Sequence, residues 1–248
     1  LTTDIHMNAP LAVMAALEQE IGDLVARLHD TTTTHIAKRA YVHGFLTPAS
    51  DAERQALVVC VARVGKVAAA STATTLIQHF GARAIVFIGL AGGLDAAQAV
   101  RVGDMVVATA VAQHDLDSSP LFPKNQIPLL GVTQLATDTA LSARLVSAAR
   151  DSTAGTAARV HQGLIISGDQ FIHSAIAQTA LQAAWPAALG VEMEGAAVGQ
   201  VCFEHGVPFA IARTISDRAD DQAHVDFPSF LTQVAAPRAT ALLKAFFG

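Results

Sequence analysis

The stretch Val191-Glu-Met-Glu-Gly-Ala-Ala-Val198 places two acids at a point where one kind of secondary structure gives way to another. The residues that lead into it are small and apolar, which predicts a buried strand over residues 187–193. The residues that follow predict a helix from Ala196 to His205, ended by the next glycine. Glu192 and Glu194 therefore lie at the end of a strand, which is where open α/β sheets form their ligand sites.

Two further segments have the same form, an apolar run that ends abruptly in serine and aspartate. They are Ile165-Ile-Ser-Gly-Asp-Gln-Phe-Ile172 and Ile211-Ala-Arg-Thr-Ile-Ser-Asp-Arg-Ala-Asp220. A fourth predicted strand, Leu11–Leu17, runs straight into a helical pattern that continues through Leu28 and carries Glu20. The helix dipole alone would favour an acid there, so structural and functional interpretations of Glu20 both stand. Buried strand ends do not hold acids without a partner or a task, and these segments together indicate a functional site.

Strands and helices alternate along the chain, with one exception near its beginning. The patterns over His35–Leu46 and Gln55–Val64 predict two antiparallel strands, joined by a loop over Pro48–Arg54 and preceded by a polar connector over Thr31–Thr34. We therefore expect an α/β fold in which a central mixed β-sheet lies between two layers of helices. The remaining predicted helices are 65–80, 137–150, 173–184 and 227–247, and the remaining strands are 83–88, 103–114, 160–166 and 208–215.

Composition limits the class of protein. Hydrophobic residues make up 52% of the 248 residues and charged residues 15%, which suits a large core with helices on both faces of a sheet. No linker divides the chain, so we expect an N-terminal extension over residues 1–10 and a single three-layer αβα domain over residues 11–248. The net charge of −5, without a cluster of Lys or Arg, argues against a nucleic-acid partner. Cys60 and Cys202 lie in apolar runs, which is typical of reduced thiols in a cytoplasmic protein, and we expect neither a signal peptide nor a membrane span.

The stretch Gly89-Leu-Ala-Gly-Gly-Leu94 is predicted to be a turn after a central strand. Its spacing is G-x-x-G-G rather than G-x-G-x-x-G, and no acid closes a following strand at the usual distance, so we reject a dinucleotide fingerprint. A plain tight turn and a close approach of the backbone to a ligand both explain the glycines. Farther along, residues 115–128 contain three prolines together with Leu121 and Phe122. A long irregular segment with exposed apolar residues predicts a lid or an interface.

The side chains near these strand ends favour one kind of catalysis over others. The histidines are scattered without metal-binding spacing and the two cysteines have no zinc spacing, so we expect no metal and no cofactor. Neither Ser167 nor Ser216 stands in a G-x-S-x-G elbow, which argues against a serine hydrolase. Paired carboxylates suit cleavage at an acetal-type carbon, where one acid protonates the leaving group and one base readies water. An N-glycosidic bond fits this chemistry.

Several motifs in a consistent order from Leu11 onward make a family resemblance specific. The chain resembles the 5′-methylthioadenosine/S-adenosylhomocysteine nucleosidases of the nucleoside phosphorylase/hydrolase superfamily. The resemblance implies a nucleoside phosphorylase-like fold and hydrolysis of these two nucleosides, with release of adenine and a 5-thio-substituted ribose. The motifs are A-A-L-E-Q-E-I (15–21), G-K-V-A-A-A (65–70), S-G-D-Q-F-I (167–172), V-E-M-E-G-A-A (191–197) and A-R-T-I-S-D-R-A-D (212–220).

The resemblance also implies roles for the polar residues. Asp217 would be the general acid that protonates adenine at N7, with Ser216 orienting it. Glu20 would hold and activate the attacking water, and Arg213 would lie beside it. Glu194 would accept hydrogen bonds from the ribose 2′- and 3′-hydroxyls. A general acid at neutral pH needs buried or anionic surroundings that raise its pKa, and a strand end beside other carboxylates would supply them for Asp217.

The other implied contacts are mostly apolar. Met193 would pack against the sugar, Phe171 would stack on the purine, and the backbone of Ile172 would read the adenine edge. Val64 and Phe227 would form walls around the 5′ substituent. The substrate class is thus a small-molecule 5′-substituted adenosine.

The resemblance further implies a homodimer, in which residues 115–128 complete the pocket of the partner subunit. Leu121 and Phe122 would make contacts across the two-fold interface. Glu192 we expect to be a structural or supporting acid rather than a catalytic one.

Leu90 departs from the family pattern, because many members have Ser or Thr at this position. A leucine side chain cannot bind phosphate, which favours water as the acceptor, although Arg63 is a basic residue that would partly compensate. Three alternatives remain open from the sequence: a phosphorylase that uses phosphate, a nucleosidase for another 5′-substituted adenosine, and a nucleoside-binding protein without catalysis.

Overall fold

The computed structural model describes residues 9–47, 54–94 and 99–248. Residues 1–8 of the predicted extension and residues 48–53 of the predicted loop lie outside these ranges. The strands are β1 (Leu11–Ala15), β2 (His29–Ile36), β3 (Arg39–Leu46), β4 (Gln55–Val61), β5 (Ala84–Gly93), β6 (Met105–Gln113), β7 (Leu135–Ala136), β8 (Val160–Ser167), β9 (Ala188–Glu192) and β10 (Phe209–Asp217). The α-helices are α1 (Lys66–Gln78), α2 (Thr139–Thr153), α3 (Ala175–Ala184), α4 (Gly195–His205), α5 (Ala223–Phe230) and α6 (Ala236–Phe247).

Within the described residues, all ten strands belong to one mixed sheet, as the sequence predicts. Strands β4, β1, β5 and β10 are parallel neighbours, and β3 and β2 extend the sheet antiparallel beyond β4. β10 also pairs antiparallel with β6, and the parallel strands β6, β8 and β9 lead back to β5. The strands β5, β9, β8, β6 and β10 therefore close into a ring, which brings their ends close together.

Helices cover both faces of the sheet and confirm the three-layer αβα arrangement. Helices α1 and α4 pack together on one face, while α2 and α6 pack together on the other. Val13 and Val86 belong to the core beneath α2 and α6, whereas their sequence neighbours Met14 and Phe87 belong to the core beneath α1 and α4. This alternation follows from strand geometry and explains why β1 and β5 are continuous apolar runs.

The first hairpin differs from the predicted pattern. Residues Thr31–Thr34 lie within strand β2 rather than in a connector, and the predicted strand His35–Leu46 is broken by a turn at Ala37 and Lys38. Both turn residues have positive φ, 48° and 59°. The prediction was wrong because β2 is an exposed edge strand, so its threonines favour a strand without any apolar alternation. The turn also lacks the glycine or asparagine that usually marks such a conformation.

The predicted helix after β1 is also wrong. Two short 3₁₀ helices, Glu18–Ile21 and Val25–Arg27, take its place. Gly22 between them has φ of 60°, and a Cβ at this position would lie 2.4 Å from the hydroxyl oxygen of Thr240. Because α6 passes this close to the backbone, the chain turns at Gly22 instead of continuing as an α-helix.

The C-terminal helix is longer and less regular than the predicted segment 227–247. It begins at Ala223 with α5, passes through a π-helix at Leu231–Ala235, and continues as α6. π-Helical turns are uncommon and often mark functional positions. Here the π-helix separates α5, which supplies Phe227 to a pocket, from α6, which packs Leu242 and Leu243 into the core.

Candidate active site

The acid-tipped strand ends meet around one pocket. Its mouth is open at Val64 and Phe171, which are 50% and 41% exposed. Ile172 lines a smaller adjoining cavity together with Phe171 and Asp217. The lining of the main pocket includes most of the residues singled out from the sequence: Glu20, Val64, Phe171, Met193, Glu194, Ser216, Asp217 and Phe227.

Asp217 is the last residue of β10 and is almost completely buried. One carboxylate oxygen accepts a hydrogen bond from the Ser216 hydroxyl at 2.8 Å, and the other accepts one from the backbone N–H of Ala219 at 2.8 Å. Burial raises the pKa of Asp217, and the negative charges of Asp226 and Asp220 raise it further. This carboxyl therefore holds a proton at a higher pH than an ordinary aspartate does.

The glycine-rich stretch 89–94 is not the predicted turn, because β5 continues through Gly93. Its glycines leave space for the site instead. A Cβ at Gly89 would lie 3.0 Å from both Glu20 Oε1 and Arg213 Nη1, and a Cβ at Gly92 would lie 2.9 Å from Asp217 Oδ1. The glycines therefore allow the backbone of β5 to lie close to the charged side chains of the site itself.

Glu20 is held by the backbone on both of its oxygens. Oε2 accepts hydrogen bonds from the N–H groups of Ala16 and Leu17 at 2.9 and 2.8 Å, and Oε1 accepts one from Leu90 at 2.9 Å. Burial raises the pKa of Glu20, while the positive charge of Arg213 acts in the opposite direction. A carboxylate with a raised pKa is a stronger base than a solvated one, and this one is fixed in position.

Glu194 lies at the start of α4 and faces the segment before α1. Its Oε1 accepts a hydrogen bond from the backbone N–H of Gly65 at 2.7 Å. Burial, reinforced by the neighbouring charge of Glu192, raises the pKa of Glu194 to about 8. Gly65 begins the motif 65–70, but no role was predicted for it from the sequence, although its φ of 100° is a conformation that other residues rarely adopt.

Glu192 joins the strand, the next helix and a buried arginine. Its carboxylate forms an ion pair of 2.7 Å with Arg213 and accepts hydrogen bonds from the Gly195 N–H at 2.9 and 2.8 Å. The Ser167 hydroxyl also donates to it. Glu192 lines the pocket as well, which places it nearer to a ligand than a remote structural acid would be.

Arg213 lies behind the pocket rather than on its surface. The side chain is 1% exposed, and its guanidinium carbon lies 4.0 Å from the centre of the Phe87 ring. It is close to Glu20, because both approach Gly89. From this position, the positive charge of Arg213 can influence a bound molecule through Glu20 and Glu192.

The mouth of the pocket carries two aromatic rings. Phe171 and Phe227 meet edge to face, with their ring centroids 5.6 Å apart. Together with Met193 and Val64 they give the entrance an apolar surface that suits a flat base and an apolar substituent.

The described residues, 9–47, 54–94 and 99–248, contain no group of three or more His, Cys, Asp or Glu side chains arranged to hold a metal ion. In the same ranges, no helix is long and apolar enough to cross a membrane.

Comparison with known proteins agrees with this arrangement. The family model of the phosphorylase superfamily matches residues 10–248. The 5′-methylthioadenosine/S-adenosylhomocysteine nucleosidase of Anoxybacillus flavithermus is 32% identical over 91% of this chain and 92% of its own length. The crystal structure of the nucleosidase of that name from Neisseria meningitidis, in complex with methylthio-immucillin-A, superimposes with a TM-score of 0.85 at 32% identity, covering 96% of this chain and 98% of that one. The chain therefore belongs to the phosphorylase superfamily and, within it, to the family of the 5′-methylthioadenosine/S-adenosylhomocysteine nucleosidases.

The same fold also occurs in a relative with another name. The futalosine hydrolase of Helicobacter pylori superimposes with a TM-score of 0.84 at 30% identity, covering 97% of this chain and 98% of that one.

Proposed function

We propose that this protein hydrolyses the N-glycosidic bond of 5′-methylthioadenosine and S-adenosylhomocysteine, releasing adenine and a 5-thio-substituted ribose. The observation that carries the proposal is the convergence of Glu20, Glu194 and Asp217 on one pocket, each held by hydrogen bonds at a separate strand end. Membership of the nucleosidase family supports the choice of substrates.

Asp217 is the proposed general acid. Its raised pKa keeps it protonated where an ordinary aspartate is charged, and Ser216 orients it. The proton goes to N7 of adenine as the bond between C1′ and N9 breaks, so the base leaves as neutral adenine. Phe171 stacks on the purine, and the backbone of Ile172 reads its edge.

Glu20 and Glu194 act on the sugar side. Glu20 takes a proton from the water whose oxygen forms the new bond to C1′, and its three backbone donors keep its oxygens in place for this step. Glu194 binds the ribose 2′- and 3′-hydroxyls, and Met193 packs against the sugar. Arg213 lies near Glu20 and stabilises its charged form. Val64 and Phe227 form the walls of the 5′-substituent pocket.

The lining of the pocket favours water over phosphate as the acceptor. None of the described residues that line it is Lys, Arg or His, and Leu90 adds a hydrocarbon side chain. A phosphate dianion needs cationic or multiple hydrogen-bond donors, and Arg213 is already paired with Glu192 at 2.7 Å. Arg63 lies in a separate cavity and does not replace the missing charge.

We also propose that the working form is a cytoplasmic homodimer. The pocket encloses about 80 Å³, whereas ligand sites usually have roughly 300–1,000 Å³, so a further segment is needed to enclose a nucleoside. Val64, Val67 and Leu121 are 50%, 82% and 84% exposed, which suits burial against a second copy. Residues 115–128, with Leu121 and Phe122, would supply the missing wall of the partner's pocket.

The test is release of free adenine from 5′-methylthioadenosine and S-adenosylhomocysteine in phosphate-free buffer. We expect release that is unchanged when phosphate is added. Turnover that requires phosphate would identify a phosphorylase, and tight binding without turnover would identify a binding protein.

The role of Asp217 is tested by Asp217→Asn, which keeps the size of the side chain but removes the acidic proton. We expect kcat to fall about 10²- to 10⁴-fold. The matched control is Asp151→Asn, because Asp151 is an exposed acid on α2 that does not line the pocket. Undiminished adenine release by Asp217→Asn would contradict the mechanism.

A further inference from the structure

A second cavity lies beside the active site, and we call it the hairpin groove. It is bounded by the first 3₁₀ helix, by the turn between β2 and β3, and by the end of β4, and its volume is about 450 Å³. The floor is aliphatic and includes Ile21, Val42 and Val59. Four charged residues complete the lining: Glu18, Lys38, Arg39 and Arg63. This volume lies within the range of small-molecule sites, which combine an apolar floor with a few polar groups.

The charged side chains of the groove are not paired with one another. Within the described ranges, none of Glu18, Lys38, Arg39 and Arg63 takes part in an ion pair. Three positively charged residues and one negatively charged residue therefore line one cavity in a chain whose net charge is −5. Such a lining is complementary to a ligand that carries both a carboxylate and an ammonium group.

The backbone holds these cations in a fixed arrangement. Lys38 and Arg63 both have positive φ, 59° and 74°. The Arg63 guanidinium donates to the Lys38 carbonyl oxygen, and Arg39 Nε donates to the Ala62 carbonyl oxygen at 2.9 Å. Strained conformations of this kind persist where surrounding contacts over-determine them, and they are concentrated at functional sites.

The groove begins where the active-site pocket ends. Leu17 and Val64 line the pocket, while the residues next to them in sequence, Glu18 and Arg63, line the groove. The two segments are joined by a hydrogen bond from the Arg63 N–H to the Ala16 carbonyl oxygen at 3.1 Å. A substituent that leaves the pocket between Leu17 and Val64 therefore meets an acid on one side and a cation on the other.

We propose that the hairpin groove binds the zwitterionic α-amino-acid end of the 5′ substituent of S-adenosylhomocysteine. Lys38, Arg39 and Arg63 bind the carboxylate, and Glu18 binds the ammonium group. This inference rests on the proposed function, since it assigns a recognition site for one of its two substrates. 5′-Methylthioadenosine has no such end, so the groove discriminates between the two.

The first experiment compares both substrates in the double variant Lys38→Gln/Arg63→Gln. We expect kcat/KM for S-adenosylhomocysteine to fall about tenfold, as loss of two partly exposed charge contacts requires, and to stay within about twofold for 5′-methylthioadenosine. The control is Arg83→Gln/Arg150→Gln, which removes the same charge from exposed residues away from the groove. Turnover of 5′-methylthioadenosine also reports that the variant is folded.

The second experiment separates the acid from the cations. Glu18→Gln should lower kcat/KM for S-adenosylhomocysteine about threefold to tenfold, because its ammonium group loses a partner. For a 5′-(carboxyalkylthio)adenosine, which has a carboxylate but no ammonium group, the same variant should be unchanged or improved. The double cation variant should lower turnover of both carboxylate-bearing compounds.

The outcomes distinguish this inference from the proposed function. If the wild-type protein releases no adenine from either nucleoside, the proposed function fails. If it hydrolyses both, but the double cation variant affects them equally or not at all, only the groove assignment is overturned.

Discussion

Replacing Glu194 by Gln is expected to stabilise the protein in the absence of ligand, by an amount that grows with pH. Burial and the charge of Glu192 raise the pKa of Glu194 from 4.5 to about 8. An unfolded chain releases this proton near pH 4.5, whereas the folded chain keeps it until about pH 8. The unfolded state binds fewer protons in this window, so the wild-type protein loses stability as pH rises through it.

The size of the effect follows from the two pKa values. Their difference, about 8 less 4.5, is about 3.5, and each pKa unit corresponds to about 1.4 kcal/mol, so the full contribution is about 5 kcal/mol. A glutamine does not titrate, and its side-chain oxygen still accepts the Gly65 N–H. The variant's advantage in free energy of unfolding is therefore about 1 kcal/mol at pH 5, about 3 kcal/mol at pH 7 and just under 5 kcal/mol at pH 9.

The assay is urea unfolding of wild type and Glu194→Gln at pH 5, 7 and 9. Glu204→Gln is the matched control, because Glu204 is an exposed acid on the same helix, α4. An advantage of Glu194→Gln that is equal at pH 5 and pH 9, or a variant less stable than wild type at pH 9, would refute the reasoning. The same variant should lose catalytic activity, since it gives up the acid proposed to bind the ribose.

Three other substitutions probe the supports of the site. Glu192→Ala should lower the free energy of unfolding by about 3–5 kcal/mol, because it leaves Arg213 buried without its partner at 2.7 Å; a loss below 1 kcal/mol in urea unfolding would count against this. Gly65→Ala should raise KM at least about tenfold, since a φ of 100° strains an alanine by about 1–3 kcal/mol and moves the N–H away from Glu194. Adenine lacks the ribose, so the inhibition constant of free adenine should not change. A rise in this constant in parallel with KM would contradict the explanation. Asp138→Ala should cost about 1 kcal/mol through loss of the side-chain cap of α2, at 2.7 Å, and leave kcat/KM unchanged.

The strand ends could be located from the sequence because their signal is local. β10 is buried along its whole length and is followed at once by polar residues, so an apolar run predicts both the strand and its end. Parallel strands share an edge, and this explains why Glu20 and Asp217, far apart in sequence, line one pocket. Helix α4 could also be predicted from the sequence, because Gly206, whose φ is 65°, ends it.

The hydrogen-bond partners of these acids could not be predicted, because they depend on contacts between distant parts of the chain. Nothing local marks the Leu90 N–H as the partner of Glu20, or the Gly65 N–H as the partner of Glu194. The glycines at 89 and 92 suggested a turn, because the side chains that need their space come from distant parts of the chain, namely β10 and the first 3₁₀ helix. Strand β2 could not be predicted either, because an exposed edge strand has no apolar pattern.

The π-helix at Leu231–Ala235 separates a part of the chain that lines the pocket from a part that packs into the core. A π-turn holds one more residue than an α-turn, so deletion of a single residue there would restore continuous α-helical winding. Because the wider turn takes up the additional residue, this deletion would leave α5 and α6 in nearly the same relative rotation, whereas deletion of one residue from a regular α-helix would rotate the two parts by about 100°. Phe227 would therefore stay in the wall of the pocket while Leu242 and Leu243 kept their places in the core. One residue can thus be lost or gained in this segment without a change in the shape of the entrance.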